Sequence, residues 1–208
     1  MMFKIIKFFF PVSFLLMSCA NNQSSDILKS AVYNLDDYEI IINSPKGLCV
    51  NSDLTSEKNK ILVLILTECI RNQNSNQLIR RPISSLITVK FEQKPGLNKY
   101  PKIYDFIKST GNSLNQIFNK SGQKVNKTYQ KGNTIYISLS ERSSSNDLET
   151  GNKFWRTLSV YDNVLVSISA YGFSKKNSNH LSYLELKDKL NSVVNSIKIK
   201  KIKKNTSV

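Results

Sequence analysis

Between residues 38 and 171 the apolar residues come in short runs, each closed within a few positions by glycine, proline, asparagine or aspartate. Runs of about four to eight residues suit strands, because a helix needs about ten or more to bury a face. Tyr38 to Ile42 reads as one strand, and Ser44-Pro45-Lys46-Gly47 after it suits a type I turn, with proline second and glycine fourth. Ile61 to Thr67, six aliphatic residues and a threonine, reads as a strand covered on both faces. Leu86 to Phe91 alternates, which places Ile87, Val89 and Phe91 on one face, and Pro95-Gly96 ends it.

Two hairpins are expected, over 124–140 and 154–171. Putting Ile135, Ile137 and Leu139 on one face with Tyr129, Lys127 and Val125 requires a three-residue loop, Lys131-Gly132-Asn133. Phe154, Leu158 and Val160 share a face with Val164, Val166, Ile168 and Ala170 only if Tyr161-Asp162-Asn163 is likewise a three-residue loop. Asparagine at the third place of each tolerates the left-handed conformation that such loops need. This register leaves Trp155, Thr157, Ser159, Tyr161, Leu165, Ser167, Ser169 and Tyr171 on the opposite face. Trp155, Tyr161 and Tyr171 are thus a candidate binding face for sugar rings or a protein partner; the alternative is a face covered by a helix.

Helical spacing appears twice. Ile103, Phe106, Ile107, Leu114, Ile117 and Phe118 follow it over Tyr100 to Asn119, split into two short helices at Gly111, with Ser113 and Gln116 at capping-box spacing. Ser182 and Glu185 form a second such box before a helix from Tyr183 to about Ile197, whose expected buried stripe is Leu184, Leu190, Val193, Val194 and Ile197. Strands outnumber helices and neighbours join by hairpins, so the expected class is α+β: a mainly antiparallel sheet with helices packed on it. One domain over 38–198 is expected, preceded by a tether over 19–37 and followed by a basic tail over 199–208. Arg142 to Asn152 reads as a mobile polar connection.

Ahead of the domain, Lys4 and Lys7 precede an apolar run from Phe8 to Met17, broken by Pro11 and Ser13. The run is shorter than the ~20 residues of a spanning helix and has the layout of a secretory signal. It ends in Leu16-Met17-Ser18-Cys19-Ala20, which resembles the lipobox of bacterial lipoproteins. The resemblance implies cleavage before Cys19 and acylation of that cysteine, so a membrane is reached through an N-terminal lipid. An ordinary secretory signal or an uncleaved anchor are the alternatives. Ala20 and Asn21 lack the aspartate that retains some lipoproteins at the inner membrane, which favours the outer membrane with the folded part in the periplasm.

Cleavage there removes 18 of the 208 residues and leaves 190, enough for a core. Cys49 and Cys69 would then lie where disulfides persist, and bonded they close a loop of about twenty residues; two buried thiols are the other reading. The formal charge of +15 falls by two with Lys4 and Lys7 and stays strongly positive. In an exported chain the available anions are envelope polymers and lipid headgroups, and nucleic acid is not an expected partner. The run Lys198, Lys200, Lys201, Lys203 and Lys204, interleaved with Ile199 and Ile202, is a candidate contact with an anionic membrane surface; a solvated terminus is the alternative.

The order Ile41-x-x-Ser44-Pro45-x-Gly47-x-Cys49, an aliphatic strand ending near Cys69, Trp155, a Val/Ile strand over 164–170 and a closing amphipathic helix resembles small bacterial envelope lipoproteins. Their layout is similar to the Mog1/PsbP-like fold. That resemblance implies a binding or assembly role, with an envelope protein or an anionic envelope polymer as partner, and carries over no catalytic residue.

Enzymatic motifs are sparse. His180 is the sole histidine and lies in a polar loop without a nucleophile-elbow sequence, so an exposed loop residue is the simpler reading than a general base. Asp36-Asp37, Asp105, Glu141, Glu149 and Asp162 could supply a carboxylate pair for glycoside cleavage, but fifteen acidic residues produce such spacings by chance. Glycines occur singly, with no phosphate-cradling loop. No cofactor and no metal is expected. A carboxylate- or His180-based envelope hydrolase and a purely structural surface lipoprotein remain the alternatives.

Overall fold

In a computed structural model the described residues are 27–71, 78–80, 84–141, 150–173 and 182–202. Cys19, His180, Glu149, Lys203 and Lys204 lie outside them, as does most of the connection expected to be mobile. Twelve strands and three α-helices occur within the described residues.

The larger sheet has nine antiparallel strands: β1 (Ile27–Leu28), β4 (Leu48–Lys58), β5 (Ile61–Arg71), β7 (Ser85–Gln93), β11 (Val164–Phe173), β10 (Thr150–Tyr161), β9 (Thr134–Glu141) and β8 (Gln123–Lys131) in spatial order, with β6 (Leu78–Arg80) pairing beside β5. A smaller sheet runs β12 (Ile197–Lys201), β3 (Tyr38–Asn43), β2 (Ser30–Leu35). The helices are α1 (Ile103–Ser109), α2 (Leu114–Asn119) and α3 (Tyr183–Val194), and a single 3-10 turn covers Leu97–Lys99. The class is α+β and antiparallel.

Each face of the large sheet carries its own core. Leu62, Leu64 and Leu66 of β5, Ile87, Val89 and Phe91 of β7, and Val164, Val166, Ile168 and Ala170 of β11 pack against α3 and the small sheet. On the other face Ile135, Ile137, Leu139, Phe154 and Val160 pack under α1 and α2. Each fully buried aliphatic side chain contributes about 1.5–3 kcal/mol, so the period-two pattern dictates which way these strands face. The outward residues Ile61, Val63 and Ile65 are half-buried, so β5 is less covered on that face than its aliphatic run suggests.

Both hairpins form, but each is joined by two residues rather than three. Lys131 pairs with Thr134 and Tyr161 with Val164, leaving Gly132-Asn133 and Asp162-Asn163 as the turns. The first turn residue takes the left-handed conformation in each, Gly132 at φ 57° and Asp162 at φ 53°. The asparagines serve otherwise: Asn133 Nδ2 donates to the Val160 carbonyl at 2.8 Å, its Oδ1 accepts from the first N–H of α1 at 3.3 Å, and Asn163 Oδ1 accepts from the Asn98 N–H at 3.1 Å. The expected register fails at the first turn because six consecutive residues of β9, Thr134 to Leu139, are buried, and at the second because β10 buries Thr157 and Ser159 on one face as well as Phe154 and Val160 on the other. With neither face marked by polarity, turn geometry decides. An irregularity between Val125 and Lys127 then restores the expected pairing of Val125 with Leu139.

Other boundaries shift for related reasons. Order begins before residue 38: β2 and β3 form a hairpin through Asp36 at φ 53°, burying Ala31 and Leu35, so part of the expected tether is a strand. The turn after β3 closes between the Leu48 N–H and the Pro45 carbonyl at 3.0 Å, with Gly47 at φ 83°, one residue later than expected. That φ favours glycine at the third turn place. Both capping boxes are present, at Ser113/Gln116 and Ser182/Glu185. The buried stripe of α3 is Leu186, Leu190 and Val193, whereas Leu184 is 68% exposed. Ile197 leaves the helix to start β12, so the expected basic tail is in part a strand paired with β3 from Ile197↔Ile42 to Lys201↔Tyr38.

Candidate binding surface

The three aromatics expected on one face are separated. Directly paired residues share a face, so Trp155 (opposite Ala170) and Tyr161 (opposite Val164) lie on the α3 side, while Tyr171 lies opposite Phe154 on the other. Trp155 is 3% exposed: its ring stacks on Tyr183 of α3 at 4.8 Å, and Nε1 donates to the Tyr183 carbonyl at 3.1 Å. Lys187 seats its ammonium 4.8 Å from the Tyr129 ring and 5.7 Å from that of Trp155. Tyr171 stacks on Phe154 at 4.7 Å and its hydroxyl accepts from Arg156 Nη2 at 3.3 Å. Only Tyr161, at the turn, is exposed. These residues hold α3 and the second core in place rather than offering one surface.

The described lysines of the expected tail are set by β12. Lys198, Lys200 and Lys201 are exposed, Lys200 reaches Glu39 at 3.6 Å and Lys201 reaches Asp162 at 3.3 Å. Asp162 also accepts from the Tyr38 hydroxyl at 2.7 Å, which with Lys201 holds its carboxyl below the ordinary aspartate value; burial and that same bond push the Tyr38 phenol up. The turn of one sheet is thereby tied to the other.

Cys49 and Cys69 are joined by a disulfide, Cα to Cα 5.9 Å, across the paired strands β4 and β5. Beside it Glu68 accepts from the Ser84 hydroxyl at 2.6 Å, the Ser85 hydroxyl at 3.0 Å and Lys189 of α3. Burial alone would push the Glu68 carboxyl up, but Lys189 and the two serines outweigh it, and it titrates below the ordinary glutamate value. This cluster docks α3 on β5; all its polar atoms are engaged with one another.

The acids expected as possible catalytic pairs are dispersed. Asp36 sits in the β2–β3 turn with Lys60 at 3.2 Å, Asp105 on the outer side of α1, Glu141 at the end of β9 and Asp162 in the β10–β11 turn. Among the described residues no three histidines, cysteines or acids are grouped to hold a metal, and no helix is long and apolar enough to cross a membrane.

What the structure does assemble is an open groove of about 700 Å³ between α1, the turn leading to α2, and β8. Ile107, Leu114 and Val125 are its buried or half-buried lining, and Tyr104, Lys108 and Lys127 its exposed one. Amide side chains come from Asn112, Asn115 and Asn126. The elements around it are strongly basic: residues 94–131 hold eight lysines (94, 99, 102, 108, 120, 124, 127 and 131) against Asp105 as the one acid. All of these lysines but Lys94 are exposed, and Lys94 pairs with Glu92 at 2.9 Å. The charge count of that segment is legible in the sequence; the groove is not, because it is made where the α1–α2 turn passes a strand that follows later in the chain.

No known family model and no curated protein sequence matches this chain. The chain is similar to several solved structures at low identity. The Ran-binding protein Mog1p of Saccharomyces cerevisiae is 12% identical, with a TM-score of 0.46 over 82% of this chain and 95% of that one. The cyanobacterial PsbP of Synechocystis sp. PCC 6803 is 11% identical, at 0.36 over 89% and 99%. The extracellular domain of PknH from Mycobacterium tuberculosis is 12% identical, at 0.36 over 81% and 82%. Likeness of this degree assigns neither family nor activity.

Proposed function

We propose that this chain is a lipid-anchored bacterial envelope protein that acts without catalysis, its folded part binding an acidic partner on the envelope side of the membrane. The observation that carries the binding reading is a groove with an apolar lining and with Lys108 and Lys127 on its two sides, set within residues 94–131, a segment that holds eight lysines against a single aspartate. Like charges concentrated in one segment repel one another, and an acidic partner relieves that repulsion. The anchor rests on the signal-like layout of residues 1–19 and on Cys19. A paired Cys49 and Cys69 suits the oxidising compartment that such a signal leads to.

The reading is tested in cells with photo-crosslinking residues at three exposed apolar positions on different elements, Val32, Tyr104 and Leu184. A binding protein gives a discrete adduct from one of them; a purely structural surface lipoprotein gives none. Cys19→Ala should move the chain out of the membrane fraction. A Cys19→Ala chain that stays in the membrane contradicts the lipid anchor.

A further inference from the structure

We propose that the groove between α1 and β8 seats an extended acidic peptide segment of a partner protein, its carboxylates placed on Lys108 and Lys127. The inference rests on the binding reading above and names the site and the chemistry of the partner. Lys108 comes from α1 and Lys127 from β8, so two cations flank the groove from the two elements that form it. Between them Ile107, Leu114 and Val125 offer apolar contact, and amides line the groove at Asn112, whose Nδ2 donates to the Thr110 carbonyl at 2.9 Å, at Asn115, and at Asn126, whose Oδ1 accepts from the Ser140 hydroxyl at 3.3 Å. That set matches a peptide, which brings backbone amides as well as side chains. A lipid surface is flat and meets convex basic patches; a concave, amide-lined site would leave its headgroups out of reach.

β8 adds a second reason. Among the described residues it is an end strand of the large sheet, paired with β9 on one side only. Its stretch Val125 to Thr128 lines the groove, and beyond the irregularity between Val125 and Lys127 the strand continues to Lys131, so an extended segment can run beside this edge with side chains directed into the groove. Lys124, Lys127 and Lys131 stand along that strand. Lysines on an edge also discourage pairing with a second copy of the same basic chain, so the edge selects for an acidic visitor over itself.

The test measures fluorescence anisotropy of a labelled short peptide of alternating glutamate and valine, with its lysine counterpart as control, on the full folded chain. The glutamate peptide should bind and lose affinity as salt rises; the lysine peptide should not bind. Lys108→Glu with Lys127→Glu should weaken binding roughly tenfold, while Lys198→Glu with Lys200→Glu, the same charge change on β12, should leave it unaltered. The emission of buried Trp155 checks that both variants are folded. Equal losses in the two variants would mean net charge alone and overturn the site, as would binding of phosphatidylglycerol vesicles through Lys108 and Lys127 without binding of the peptide. In cells, an adduct at Tyr104 that is lost in the Lys108→Glu, Lys127→Glu chain supports the site. An adduct that persists there sinks the site and leaves the binding reading standing, whereas no adduct from any of the three positions removes both.

Discussion

Breaking the Cys49–Cys69 bond should lower stability by about 3 kcal/mol, because the bond closes a 20-residue separation that the unfolded chain would otherwise leave open. Both sulfurs are buried, so the folded state keeps its packing when the bond is reduced and the loss falls mainly on the unfolded side. With a urea slope of about 2 kcal/mol per molar, the midpoint should move down by roughly 1.5 M. Trp155 is the sole tryptophan and is stacked on Tyr183 of α3, so its emission follows separation of that helix from the sheet. Urea titrations of the oxidised chain, the reduced chain and Cys49→Ala with Cys69→Ala should place the reduced chain well below the oxidised one and the double variant at or below the reduced one, since it also loses two buried sulfurs. An unchanged midpoint on reduction would refute the loop-closure reasoning, since the paired strands β4 and β5 would then already restrain that loop in the unfolded chain.

Glu68→Gln should cost about 2 kcal/mol at neutral pH by weakening the bonds from Lys189, Ser84 and Ser85. Because the folded-state pKa of Glu68 is depressed, its contribution is complete above the unfolded value of about 4.3 and is lost as pH falls through the folded value. The gap between wild type and Glu68→Gln in urea midpoints should therefore narrow below about pH 4; a gap that widens on acidification would contradict the assignment. Leu190→Ala, at a fully buried position of α3, should lower stability by about 2–5 kcal/mol in the same titration, whereas Leu184→Ala should change it by less than about 0.5 kcal/mol. Gly132→Ala should cost about 1 kcal/mol through its φ of 57° alone, since no atom lies within 4 Å of the added methyl group. A neutral Gly132→Ala would argue that the β8–β9 turn adopts another register.

Local signals were legible in the sequence and non-local ones were not. The two capping boxes depend on residues three apart, and Ser113 with Gln116 and Ser182 with Glu185 appear as read. The alternation of Ile87, Val89 and Phe91 marks the core face of β7 because the neighbours between them are less buried. Register in the two later hairpins is not legible because β9 is buried on both faces in the first, and in the second β10 buries polar Thr157 and Ser159 on one face and Phe154 and Val160 on the other, which erases the polarity contrast that fixes register. The Ile/Lys alternation of 197–201 is a strand pattern, yet its partner β3 lies far earlier in the chain, so the stretch resembles a frayed tail until the small sheet is seen. Trp155 reads from sequence either as a binding residue or as covered by a helix, and the second holds: its cover, Tyr183, comes from a helix placed by tertiary packing. Of the site, only the lysine count over 94–131 could be read directly; bringing Lys108 and Lys127 to the two sides of one groove takes the α1–α2 turn and the β8 edge together.

Intact mass of the chain extracted in detergent from its native membrane, alkylated with and without prior reduction, is the most direct measurement of whether this is an anchored, exported binding module. The expected species begins at Cys19, carries acyl chains and gains two alkyl groups only after reduction. A chain that retains residues 1–18 without acylation, or that alkylates at Cys49 and Cys69 without reductant, would contradict the anchor and the compartment together.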